Sequence, residues 1–192
     1  MTTYLPQLTL PESVFQSLPT SILVPIALGT AVGYSTRPKD GIPRKYLSLK
    51  QPPLRPPPWV FGPTWTILYG LMGYAAHRAY FLGTSPFSLP STIAAARHGT
   101  TLYTIQLGLN LAWMPLFFGM NRPILATVDI LSLLGINGYL AWLWGAKVDG
   151  LSGWLLTPYL AWLSFATYLC IGTGYLNNWD LNSGEEDGKK RI

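Results

Sequence analysis

Residues 98–121 read HGTTLYTIQLGLNLAWMPLFFGMN, with Arg97 before them, Arg122 after them and no charged side chain between. A soluble helix of this length keeps a charged wet face, with charge every turn or so. This stretch has none, and it is long enough for the roughly 20 apolar residues that cross a bilayer. The same emptiness recurs on either side. No charge falls between Glu12 and Arg37, between Arg55 and Arg78, or between Asp149 and Asp180, and only Asp129 interrupts the run from Arg122 to Lys147. Of the 192 residues, 49% are hydrophobic, 14% aromatic and 11% charged, whereas a soluble domain carries about a quarter charged residues. A disordered chain would show the opposite balance, with high charge and few aromatics. Membrane strands would run about ten residues with alternating polarity, and these windows are apolar all round.

The expected fold is therefore an all-α membrane protein, a bundle of five transmembrane helices near 17–36, 58–80, 98–119, 123–146 and 151–175. A proline-rich loop joins the first two. Residues 1–16 are expected to form an N-terminal tail, 17–176 the membrane domain and 177–192 a polar C-terminal tail. Pro19 and Pro25 interrupt the first span, which a membrane helix tolerates when neighbours satisfy the freed carbonyls. No Lys or Arg precedes that span, so it lacks the basic start of a signal peptide and the Arg-rich character of a transit peptide.

Positive charge is distributed unevenly. Arg37, Lys39, Arg44, Lys45, Lys50, Arg55, Arg122, Lys189, Lys190 and Arg191 fall on one side of a five-span chain, and Arg78, Arg97 and Lys147 on the other. The positive-inside rule then places the C-terminus in the cytosol and the N-terminus opposite. The net charge of +5 reports topology, and no nucleic-acid partner is expected. The single cysteine, Cys170, excludes an internal disulfide and paired-cysteine redox chemistry. His77 and His98 stand at span ends, where interfacial positioning explains them better than haem ligation. No phosphate-binding loop, HExxH or GxSxG pattern is present. No metal site and no cofactor are expected, and no catalytic residue of a familiar hydrolase.

Polar and aromatic groups recur inside the windows at helical spacing. Gln106, Asn110, Trp113 and Phe117 share a face of the third span; Trp65, Tyr69 and Met72 share one on the second; Trp162, Phe165, Ala166 and Leu169 share one on the fifth; Asp129 and Ser132 share one on the fourth. Hydrocarbon offers an amide no partner, so such stripes turn toward other helices or a cavity. Two readings stand for the amides and Asp129: glue between helices, or the lining of a pocket. Indoles, large rigid π-surfaces with one N–H donor, suit flat aromatic ligands. Trp59, Trp154 and Trp179, and with them Trp142 and Trp144, read as headgroup-level anchors. Gly29 and Gly33 have the spacing of close helix contact, inside the bundle or between copies. The connector from Arg37 to Pro63 holds eight of the seventeen prolines, which makes it a stiff strap, either a lid over the bundle mouth or a docking segment.

The run from Pro56-Pro57-Pro58-Trp59 through Phe61-Gly62-Pro63-Thr64-Trp65 to Tyr69, with Met72-Gly73 after it, resembles the signature of the TspO/MBR family, the tryptophan-rich sensory and translocator proteins. Gln106 to Asn110 with Trp113, Pro115 and Phe117-Phe118-Gly119, Ala126 with Asp129, and Pro158-Tyr159-Leu160-Ala161-Trp162 through Phe165-Ala166-Thr167 continue it in order. The resemblance implies a five-helix bundle, in some members a homodimer, with a pocket for porphyrins and aromatic ligands. Carried over by position, Trp65, Asn110, Trp113, Trp162, Phe165 and Ala166 would bind ligand, and Tyr69, on the Trp65 face of the second span, is expected to join them. It also implies the mitochondrial outer membrane, with the endoplasmic reticulum as the alternative. Three functions follow as expectations: a receptor or carrier for porphyrin, haem or sterol; light- and oxygen-driven porphyrin breakdown through Trp65 and Trp162; or a scaffold recruiting soluble partners through 37–58 and the tail. The chain departs from the family at Cys170, where Asn is usual, and at Leu54 and Leu125, where tryptophans are. No Lys or Arg follows Tyr168 before Lys189, which breaks the animal sterol motif.

Overall fold

The computed structural model describes residues 8–36 and 49–181. Along the chain come α1 (Glu12–Gln16), α2 (Leu18–Ser35), a 3-10 turn (Pro58–Val60), α3 (Phe61–Gly83) and α4 (Pro90–Met114). A π-helical turn (Pro115–Gly119), α5 (Pro123–Lys147), α6 (Gly150–Trp154) and α7 (Thr157–Leu176) follow. Among the described residues there is no strand. Five helices have 18, 23, 25, 25 and 20 residues, and each overlaps one of the five charge-poor windows. By length and composition, α2, α5 and the stretch Gly150–Leu176 are apolar enough to cross a membrane. The α3 and α4 helices are long enough but carry more polar groups, among them Arg78 and Arg97.

The core is apolar but encloses amides and hydroxyls, and many large apolar side chains face outward. Gln106, Asn137 and Ser152 are fully buried, while Leu23, Ile67, Phe81, Ile124, Val128 and Trp142 are exposed. In hydrocarbon that arrangement is stable, because a lipid-facing amide has no hydrogen-bond partner. The chain is an integral multi-pass membrane protein.

Proline sets most of the helix starts. Pro19, Pro90, Pro123 and Pro158 occupy the first or second position of their helices, where a missing N–H removes nothing from the ladder; Pro115 instead opens the π-helical turn that continues directly from α4. This shifts two expected boundaries. The third helix begins at Pro90 and not near 98, carrying an exposed Arg97. The fifth window is split into α6 and α7 ahead of Pro158.

Pro25 does something different. It lies inside α2 and is buried, so the carbonyl four residues back, on Ser21, loses its helical donor. That carbonyl faces Gly73 of α3, where any Cβ would run into it. Proline and glycine on neighbouring helices thus make one close crossing. Gly29 meets the Tyr69 ring in the same way, so its role here is packing within the bundle.

The extramembrane ends are fastened too. Phe15 of α1 is buried between Tyr80 and Tyr103, and its carbonyl lies 2.7 Å from His77 Nδ1. At the same end Arg78 grips Asp149 through Nε–Oδ2 at 2.6 Å and Nη2–Oδ1 at 3.2 Å. Residues 50–53 of the strap lie along α7: Asn177 Nδ2 donates to the Lys50 carbonyl at 2.7 Å, its Oδ1 accepts from the Lys50 N–H at 3.2 Å, and Tyr168 donates to the Pro53 carbonyl at 3.0 Å. The strap's basic run at 37–45 and the tail from 182 lie outside the described residues. Residues 177–181, expected as tail, fold back on α7, with Leu181 buried and Trp179 against Gly174.

Candidate aromatic ligand site

One turn apart on α3 stand Phe61, Trp65 and Tyr69; on α7, Tyr159, Trp162 and Phe165–Ala166 follow at the same interval. The two rows meet. Trp65 has its ring centroid 5.3 Å from Tyr69 and 6.1 Å, edge-on, from Tyr159. Phe61 meets Trp162 edge-on at 5.8 Å, and Trp162 meets Phe165 at 5.8 Å. Phe165 stacks in turn on Tyr168 at 6.3 Å, the residue that holds the strap at Pro53. Aromatic faces therefore line the α3–α7 seam, with the strap fastened at its end. Both indoles are half-buried, so each has surface left to offer.

The floor of the seam is polar. Tyr69 donates to Asn110 Oδ1 at 2.5 Å, Asn110 Nδ2 donates to the Tyr159 hydroxyl at 2.8 Å, and Tyr159 donates to Gln106 Oε1 at 3.3 Å. Hydroxyl and amide protons thus point in one direction across three helices, and each ring on which Trp65 leans is held at its oxygen. For Gln106 and Asn110 the structure favours the glue reading: both amides bind protein groups and are buried.

The other expected residues divide. Ala166 is partly buried on α7, one turn beyond Trp162. Trp113 belongs to a separate aromatic group, stacked on Phe117 at 5.0 Å with Phe118 edge-on at 6.1 Å. Its indole faces Cys170, whose Sγ is 3.4 Å from Thr127 Oγ1. Asp129 and Ser132 do not form one interior stripe: Asp129 is buried, whereas Ser132 is exposed and donates to the Val128 carbonyl. Trp144 is no headgroup anchor. It is fully buried, stacked on Tyr103 and seated where Gly99 has no side chain. Trp142 is exposed with Lys147 over its ring at 5.8 Å, as an interfacial indole would be. Among the described residues, no three His, Cys, Asp or Glu side chains converge.

The sequence reading named Tyr159 only within the family run and gave it no site role, and it did not single out Asn137. Tyr159 was legible, since Trp162 and Ala166 follow it at helical i+3 and i+7. Asn137 was the lone amide in its window and gave no spacing to read.

Residues 21–176 match the TspO/MBR family. The chain belongs to that family. It is 44% identical over 155 residues to the translocator protein homolog of Schizosaccharomyces pombe, covering 81% of this chain and 88% of that one. Against the tryptophan-rich protein TspO of Chlorobaculum tepidum it is 40% identical over 146 residues, 75% and 87% of the two chains. Against the translocator protein of Homo sapiens it is 36% identical over 166 residues, 85% and 89%. Family membership and the aromatic interior together support a membrane ligand-binding protein.

Proposed function

We propose that this protein is a membrane receptor or carrier for flat hydrophobic molecules, with porphyrin or haem as the first candidate and sterol as the second. The observation that carries the proposal is the α3–α7 seam, in which Trp65 and Trp162 are half-buried and not sealed. A flat macrocycle would stack on the indoles, with Phe61, Phe165 and Ala166 shaping the space. Asn110 would contribute through the two tyrosine rings it holds. The broken sterol motif after Tyr168 favours a tetrapyrrole over a sterol. The name translocator protein, borne by several relatives, fits a carrier role.

The same family resemblance supports the mitochondrial outer membrane as the location, with the endoplasmic reticulum second, and a homodimer as the assembly to test. The lysine and arginine distribution favours a cytosolic C-terminus.

Protoporphyrin IX titrated in the dark into lipid-reconstituted protein should quench tryptophan emission saturably at micromolar concentration. The Trp65→Phe/Trp162→Phe variant should lose most of that affinity, on the order of tenfold for roughly 1.4 kcal/mol of stacking. Unsaturable quenching, or quenching identical in the variant, would mean that porphyrin only partitions into lipid. A new absorbing product formed by the wild type alone under illumination would favour porphyrin breakdown.

A further inference from the structure

Where Gln106 of α4 meets Asn137 of α5, one donor and one acceptor are left over. Both side chains are fully buried. Asn137 Nδ2 donates to the Leu133 carbonyl at 2.9 Å and, more loosely, to Gln106 Oε1 at 3.4 Å; Tyr159 donates to that same Oε1 at 3.3 Å. Gln106 Nε2 and Asn137 Oδ1 have no protein partner. The Tyr103 hydroxyl, on a 2% exposed residue one turn before Gln106, has none either.

Turning an amide over does not remove the surplus. With Asn137 turned, its oxygen would press against the Leu133 carbonyl oxygen. With Gln106 turned, its NH2 would press against the Asn137 NH2. The Leu133 carbonyl fixes the first amide, the first amide fixes the second, and the unpaired atoms are the consequence.

We propose that this contact is a binding site for one ordered water molecule, which accepts from Gln106 Nε2 and donates to Asn137 Oδ1. The unpartnered Tyr103 hydroxyl, one turn away on α4, is the candidate third partner. Water matches the surplus in kind: the site is neutral and needs an occupant that both accepts and donates. A buried water typically makes about three such bonds. The water completes a polar chain from Tyr69 through Asn110, Tyr159 and Gln106 to Asn137. Through it α5 braces the Tyr159 ring on which Trp65 leans, which makes Asn137 a positioning residue whether or not a porphyrin binds.

The test uses the full chain in lipid bilayers, with glutamine and asparagine side chains labelled with nitrogen-15. Solid-state NMR then measures magnetisation transfer from water to the Gln106 NH2, assigned by its disappearance in Gln106→Met. The expected result is transfer from a bound water to this NH2, with exchange into heavy water slower than at exposed amides, and its loss in Asn137→Leu. Absence of transfer in the wild type, or transfer unchanged in Asn137→Leu, overturns the proposal. A structure of the unaltered protein that resolves water decides the matter without variants: density within hydrogen-bond reach of both atoms supports the site, and a direct Gln106 Nε2–Asn137 Oδ1 bond refutes it.

Discussion

Gly70 and Gly73 stand three residues apart on α3, and nothing in their immediate sequence ranks one above the other. A Cβ at Gly70 would meet open space, and one at Gly73 would meet the backbone carbonyl of Ser21. A carbonyl cannot swing aside as a side chain can, so the crossing itself would have to open. Gly73→Ala is expected to destabilise the protein by about 1–3 kcal/mol, as overpacking does. Gly70→Ala should be neutral or stabilise by up to about 1 kcal/mol through helix propensity. Thermal unfolding of the two variants in detergent, followed by circular dichroism, separates them; equal melting temperatures would show that the α2–α3 crossing is looser than described. The same contrast explains the tryptophans. Trp142 and Trp144 are two residues apart, yet Trp142 faces outward and Trp144 fills the space above Gly99. The residue opposite decides which indole is an anchor and which is core.

Between elements, the strongest polar tie lies where α3 ends beside the turn into α6. Arg78 holds Asp149 with two hydrogen bonds, and the Asp149 carboxylate caps α6 by accepting from the Ser152 amide and hydroxyl, each at 3.0 Å. The Arg78 hydrogen bond first, and those from Ser152 after it, hold the Asp149 carboxyl below its ordinary value of 3.8, against an opposing effect of burial. Its depressed folded pKa makes the tie a source of stability at neutral pH, fully present above the unfolded value near 3.9. That contribution is lost as pH falls through the lower folded value. The wild type should therefore lose melting temperature below about pH 4 more steeply than Asp149→Asn, measured in the same detergent from pH 6 downward. Parallel curves would remove Asp149 from the acid limb. Asp149 and Ser152 give a readable capping pattern in sequence; the guanidinium that joins them comes from 71 residues away and leaves no local trace.

Across the whole molecule, a tie between residues 127 apart joins the strap to the end of the last helix. Asn177 binds both main-chain groups of Lys50 and the Thr173 carbonyl, while Pro52 packs on Gly172. Replacing Asn177 by Leu removes the hydrogen bonds but leaves the helix, so residues 49–53 should lift from α7. Trypsin should then cut after Lys50 several-fold faster in reconstituted Asn177→Leu than in wild type, scored by mass spectrometry of the fragments. An unchanged cutting rate would mean that the Tyr168–Pro53 bond, the Pro52–Gly172 contact and proline stiffness hold the strap without Asn177.

Charge spacing in the sequence determined the helical membrane class and the approximate place of each long helix, because excluding charge from hydrocarbon is a demand on every residue of a span. Helical periodicity also brought out Trp65 and Tyr69 on one face and Trp162, Phe165 and Ala166 on another, since residues one turn apart share a side. Periodicity acts within one helix, so it could not show that these two faces meet, that Trp113 packs elsewhere with Phe117 and Cys170, or that Tyr159 stands between Trp65 and the amides. Rotation of each helix about its axis settled those points. That rotation is fixed where small residues admit a neighbour: Gly73 under Ser21, Gly29 under Tyr69 and Gly99 under Trp144.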